Sequence, residues 1–174
     1  MQPNYTEGVR RMLSAAQTAA ARYDHRFVHT EYLLMGLLQE RGAATQMLKT
    51  LGYDPKALLK TCTARCEHGT HGKDSGLKLT TRAQQIMLLA TQEAERQGDG
   101  KVRTTHVLVG MLEELDGIAG EVLREAGLTA DVVRAAIAQS PKAPEPPAPE
   151  PEPHRPNHSH THAKKPLWKL LRRA

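Results

Sequence analysis

A chain of 174 residues suits one compact domain with an appendage. Its formal net charge of +5 sits mostly at one end: from Lys142 onward seven Lys or Arg face three Asp or Glu, while the preceding 17 and 16 nearly cancel. With a near-neutral body, one Phe (Phe27) and four Tyr to stack bases, no apolar run near the roughly 20 residues that span a bilayer, no hydrophobic segment behind the first residues and only two cysteines, the composition argues against nucleic-acid binding, a transmembrane segment, a secretory signal and a disulfide framework. A cytoplasmic, reducing location is the expectation.

The first predicted helix carries Val9, Met12, Leu13, Ala16, Ala19, Ala20 and Tyr23 at the three-and-four spacing of one buried face. A second is expected to start with Thr30 as N-cap and to run through Leu33, Leu34, Leu37 and Leu38. The third covers about Ala43 to Leu51 and stops at Gly52, suited to a left-handed cap. The fourth starts with Asp54 as cap and Pro55 at the first helical position, where its missing N–H costs nothing.

Near the end of this helix lie Cys62, Cys66, His68 and His71. Two thiolates and two imidazoles suit a tetrahedral zinc shell, and cysteines four apart share a helix face. The compressed C-x₃-C-x-H-x₂-H spacing is not a standard finger, and two ordinary helix-end cysteines beside a polar loop are the plain alternative. A Gly- and His-rich stretch, CEHGTHGKDSG, then links the first unit (about 5–66) to a second (about 80–139), with 67–79 as the connection.

The second unit repeats the first. Its helices are predicted at Thr80 to Gln97, Thr104 to Leu115, Ile118 to Ala126, and after Thr129 as cap before Val132, Val133 and Ile137. Thr6 to Leu38 lies over Thr80 to Leu112 without a gap: Met12 falls on Ile86, Ala16 on Ala90, Thr30 on Thr104, Gly36 on Gly110. After one inserted residue Leu48 falls on Leu123, Gly52 on Gly127 and Leu58 on Val133. Neither set of four helices has enough core alone, so an all-α body of eight short helices, packed about an approximate two-fold over residues 1–140, is expected.

Residues 141–174 are different in kind. PKAPEPPAPEPEPHRP is Pro- and Glu-rich and is expected to be extended, reaching about 75 Å if its roughly 25 spacer residues adopt polyproline geometry. His154, His158, His160 and His162 have the spacing of a loose metal chelator. In the closing KKPLWKLLRRA, Leu167, Leu170, Leu171 and Ala174 share a helical stripe, with Lys164, Lys165, Lys169, Arg172 and Arg173 as cations and Trp168 at the edge. Such a segment suits docking to an acidic groove or an anionic membrane surface; an unstructured basic end is the alternative.

The paired stretches His29-Thr30-Glu31-Tyr32-Leu33-Leu34 and Thr104-Thr105-His106-Val107-Leu108, each in a repeat with a Gly before a short last helix, resemble the N-terminal domain of the Clp/Hsp100 unfoldases over about Tyr5 to Ile137. That resemblance implies a double four-helix fold and a non-catalytic domain that receives substrate or adaptor proteins for an ATPase ring. It implies Thr6, Thr30, Glu31, Thr80 and Thr104 as protein-binding positions. In some relatives each repeat also binds phosphorylated arginine through the Glu of a Thr-Glu-His motif; Glu31 matches it, whereas Thr105 brings no charge to the second repeat. An acidic first-turn residue that simply favours its helix start is the other reading of Glu31.

No G-x-x-x-x-G-K-[ST] phosphate loop occurs: Gly72-Lys73 and Gly100-Lys101 are not followed by Ser or Thr. His106 takes a helix-start position expected to be buried and hydrogen-bonded, and no nucleophile with an assignable base stands out. The expected function is therefore an accessory subunit, adaptor or modulator of a Clp-type ATP-dependent protease or chaperone, with a Clp ATPase, a Clp protease core or substrate segments as partners. A metal-responsive or membrane-surface regulator acting through the His tract and basic tail is the rival, and beyond zinc no cofactor is expected.

Overall fold

In the computed structural model residues 4–70 and 78–140 are described, all within the compact unit Met1–Pro141. The tail positions named above, from His154 to Arg173, and His71 lie outside the described residues. Eight α-helices follow in order: α1 Glu7–Arg22, α2 Thr30–Glu40, α3 Ala43–Thr50, α4 Pro55–Ala64, α5 Thr81–Arg96, α6 Thr104–Glu113, α7 Ile118–Glu125 and α8 Ala130–Gln139. A shift of 74 carries both ends of α1 onto those of α5 and the start of α2 onto that of α6; 75 carries both ends of α3 and α4 onto α7 and α8. The duplication and its single inserted residue are thus features of the backbone.

The helix ends follow from local chemistry. Asp54 accepts from the Lys56 N–H at 2.9 Å, Thr80 from Ala83 at 3.3 Å and Thr129 from Val132 at 3.4 Å. Gly52 (φ 87°) and Gly127 (φ 88°) turn the chain after α3 and α7 in the left-handed region that glycine enters without strain.

At the centre lie α2 and α6. Every residue from Thr30 to Leu38 and from Thr104 to Leu112 is buried, which fits helices apolar all round rather than on one stripe. α1 packs on α2 and α5 on α6, each at close range, because Gly36 and Gly110 present no side chain to the partner backbone. The third helices bridge the repeats in an exchange of contacts: α3 packs against α6 as well as its own α2, and α7 against α2 as well as its own α6.

This exchange corrects the expectation for Thr30. His29, not Thr30, is the N-cap residue of α2, and Thr30 is its first helical residue. The Thr30 hydroxyl instead accepts from the Ala119 N–H of α7 at 3.4 Å, and the Thr104 hydroxyl accepts from Ala44 of α3 at 3.3 Å. Both recipients have a glycine at the N-cap, Gly42 and Gly117, which has no side chain to do this itself. At Gly117 a Cβ would lie 2.9 Å from Thr30 Oγ1. Each repeat thus caps the third helix of the other. Replacing Thr30 and Thr104 together by Val keeps the shape, leaves two buried N–H groups unpaired, and should cost about 2 kcal/mol. Urea unfolding measures it; a midpoint equal to wild type means the exchanged caps contribute nothing.

Candidate functional site

The chain leading into each long outer helix pairs with the chain leading into the other repeat's central helix. Asn4 and Thr6 bracket Val102: Val102 N donates to Asn4 O at 2.8 Å, and Thr6 N to Val102 O at 3.0 Å. Likewise Val28 N donates to Lys78 O at 2.8 Å and Thr80 N to Val28 O at 3.1 Å. The end of the 67–79 connection is therefore pinned to the first repeat. Two equivalent junctions result, one where α1 and α6 start together and one where α5 and α2 do. Free N–H groups and the positive ends of two helices converge at each.

The structure gathers the residues implied by the resemblance here and lets their roles diverge. Thr80 caps α5 through its hydroxyl, whereas Thr6, at the same place before α1, donates its hydroxyl to Val102 O at 3.2 Å. Glu31 stands in the first turn of α2, nearly buried; its Oε1 lies 3.9 Å from His29 Nδ1 and its Oε2 accepts from the Thr30 hydroxyl at 3.5 Å. In the equivalent place on α6, Thr105 is buried and its hydroxyl oxygen has no hydrogen-bond partner. A cationic group is therefore favoured at the α5–α2 junction and not at its twin.

His106 is fully buried. Its Nδ1 accepts from the Arg103 N–H at 3.1 Å, so the ring proton is on Nε2, facing Asp99 at 3.2 Å and Gln97 at 3.3 Å. Burial and the neighbouring Arg103 cation hold it below the ordinary histidine range, against the pull of Asp99 and Glu93. It serves as a helix-start lock.

Of the zinc candidates, the two cysteines are turned inward, whereas His68 is exposed. Cys62 Sγ donates to Glu31 O at 3.4 Å, and Cys66 Sγ contacts Met35 Sδ at 3.8 Å, so the face the two thiols share is the one against α2. Burial raises both thiols, Cys66 to about 11, and His68 stacks on Tyr23 with ring centres 5.0 Å apart. Among the described residues no three Cys, His, Asp or Glu are arranged to hold a metal ion.

A groove of about 550 Å³, not anticipated from the sequence, runs between α5 and the arm that precedes α1. Tyr5, Leu79, Met87, Leu88, Thr91 and Val102 line it, and Leu88 is half exposed. A trace was present in the sequence: Ile86-Met87-Leu88-Leu89-Ala90 is a run of five apolar residues, more than one buried stripe of α5 uses.

A family model, the Clp repeat (R) N-terminal domain, matches residues 4–126 and again 78–165. The chain belongs to that family. The Clp N-terminal domain is a substrate- and adaptor-binding module of the Clp ATPases and not a catalytic one. This Clp N-terminal domain is 30% identical over 136 residues to the negative regulator of genetic competence ClpC/MecB of Bacillus subtilis (strain 168), covering 78% of this chain and 17% of that protein. To the ATP-dependent Clp protease ATP-binding subunit ClpA homolog of Porphyra purpurea it is 32% identical over 141 residues, with 78% and 17% covered. The chain thus spans about a sixth of the length of these relatives. The solved N-terminal domain of the ClpV1 ATPase from E. coli EAEC shares the fold, with a TM-score of 0.65 at 19% identity, covering 82% of this chain and 91% of that one. Among the described residues no helix is long and apolar enough to cross a membrane.

Proposed function

We propose that this Clp N-terminal domain is a non-catalytic recognition module, an accessory subunit or adaptor of a Clp-type protease or chaperone, that holds a segment of a substrate or adaptor protein. The observation that carries this reading is the groove between α5 and the leading arm. Its apolar floor of Met87 and Leu88 gives a bound segment surface to bury, and Asn4, Gln84 and Glu95 at its edges offer hydrogen bonds for register. The groove adjoins the arm that pairs with the start of α6, so an occupant also senses the α1–α6 junction. Glu31, at the other junction, supplies a carboxylate for a cationic side chain, and the family resemblance makes phosphorylated arginine its specific candidate.

Surface plasmon resonance with the Clp ATPase and the Clp protease core of the same source, and with an unfolded model substrate, tests this. Leu88→Asp should weaken the strongest of these interactions at least tenfold, as expected for removing a central apolar anchor. Unchanged thermal melting shows that the body is intact, because Leu88 is half exposed. Absence of binding to all three proteins, or a Leu88→Asp variant that binds like wild type, refutes the groove reading.

A further inference from the structure

A hollow of about 300 Å³, lined by different residues from the groove just described, lies between the α1–α2 loop and the segment after α4. His25, Arg26, Phe27 and His29 approach from the loop, His68 and Thr70 from the segment, and no carboxylate is among the lining residues. The imidazoles are held in place. The Tyr32 hydroxyl and His25 Nδ1 share a hydrogen bond of 2.9 Å, and burial pushes the Tyr32 phenol above its ordinary range. Gly69 permits this approach, since a Cβ there would lie 2.7 Å from His25 Nε2, and its N–H is fastened to Tyr23 O at 2.8 Å. The His25 and His29 rings sit 5.0 Å apart, and His68 closes one side by stacking on Tyr23.

We infer that this hollow binds a small oxyanion, a phosphoryl or carboxylate group, held by Arg26, His25 and His29, with His25 taking up a proton. Arg26 contributes a cation at every relevant pH. Among the described residues the acids acting on His25 and His29 are Asp24 beside His25, and Glu31, whose carboxylate lies on the α2 side of His29. The positive end of α2 opens at His29. The negative end of α1 is nearby but occupied, because the carbonyls of Ala19, Ala20, Ala21 and Tyr23 already accept from Tyr23, His25, Asp24 and Gly69. Exposed Phe27 adds an apolar edge against which a planar group can rest.

The hollow resists charge on His25. Burial, and then the neighbouring His29, hold His25 below its ordinary value, with His68 acting in the same direction and Glu31 and Asp24 opposing. A bound anion reverses that balance, so binding draws in protons. Affinity should rise as pH falls below the ordinary histidine value near 6.5, by up to about tenfold per pH unit for each proton taken up.

The test is a titration of the full chain with inorganic phosphate and, separately, acetate, following the imidazole resonances of His25 and His29 at pH 6.0 and pH 8.0. Saturable shifts at pH 6.0, at least tenfold weaker at pH 8.0 and lost in Arg26→Ala/His29→Ala, are expected; whichever anion saturates first identifies phosphoryl or carboxylate as the preferred group. Sodium chloride is the control for screening, and circular dichroism checks the fold of the variant. Shifts reproduced by sodium chloride, wild-type affinity in the double variant, or a response to zinc but to neither anion overturn the assignment. If the double variant misfolds, Arg26→Gln alone, at an exposed position, must still weaken phosphate binding at pH 6.0 for the inference to stand.

Discussion

Gly36→Ala should destabilise the folded body by about 3 kcal/mol, lowering its melting temperature by roughly 10 °C. Intrinsic helix propensity predicts the opposite sign, because alanine is favoured over glycine inside a helix by about 1 kcal/mol. Packing decides. A Cβ on Gly36 would lie 2.4 Å from the Met12 carbonyl oxygen and 2.9 Å from the Ala16 nitrogen, both backbone atoms of α1 that cannot swing aside. The equivalent Cβ on Gly110 would lie 2.5 Å from the Ile86 carbonyl oxygen of α5. Relief requires the outer helix to move off the central one, opening the tightest contact in each repeat. Gly8→Ala is the internal control: its Cβ meets nothing nearer than a Glu40 carboxylate oxygen at 3.4 Å, so there propensity should win and stability should hold or rise. Calorimetry on the three alanine variants reads all of this. A Gly36→Ala protein that melts with wild type would show that α1 and α2 are not held as described.

Arg134→Met is expected to cost about 3 kcal/mol at pH 7, the lower end of the range for removing one partner of a buried ion pair. Glu93, on α5, is 2% exposed at its side chain, and its Oε2 receives Arg134 Nε and Nη2, both at 3.1 Å, as well as Arg96 at 2.7 Å. Gln97 donates to the other oxygen at 2.7 Å. Arg134 also reaches Glu113 at 2.7 Å, so one side chain of α8 ties α5 to the end of α6. Burial opposes the Glu93 charge, but the hydrogen bonds from Arg134 and Gln97 and the charges of Arg134 and Arg96 outweigh it and hold the carboxyl below the ordinary range. Stability from this pairing is therefore present above the unfolded glutamate value near 4.3 and is lost as pH falls through the lower folded value. Denaturation at pH 7 should show the full gap between wild type and Arg134→Met, and the gap should narrow below about pH 4. Adding Glu93→Gln to the variant removes the stranded charge and should restore part of the loss. A gap independent of pH would assign the effect to lost packing of the Arg134 stem instead.

The family and its duplicated architecture were legible because helical periodicity and caps are local. The stripe of α1, the Asp54-Pro55 start of α4 and the glycines after α3 and α7 each occupy the role their neighbours in sequence imply. The Thr30 expectation went wrong for the same reason. Its hydroxyl serves an N–H 89 residues further on, and no local pattern encodes that pairing. The cysteines likewise share a face, as their spacing requires, but only packing against α2 decides that this face looks inward.

The candidate sites divide in the same way. Glu31 stood out as a charge at a helix start, yet its proximity to Thr80 depends on the pairing of Val28 with Lys78 and Thr80 across the repeats. Leu88 looked like one more apolar residue of α5, and the groove exists because the arm before α1 lies beside it.

By itself the sequence determined two sets of four helices, their order, the local caps at Asp54 and Thr129 and the near-neutral charge of the body, since turn chemistry and the 3.6-residue period act over a few residues. Only the tertiary structure decided which repeat caps which, that α3 and α7 each bridge to the other repeat's central helix, and that the histidines of one loop and one connecting segment face a common hollow. Those outcomes depend on burying two incomplete cores against each other, and that free energy belongs to no single segment.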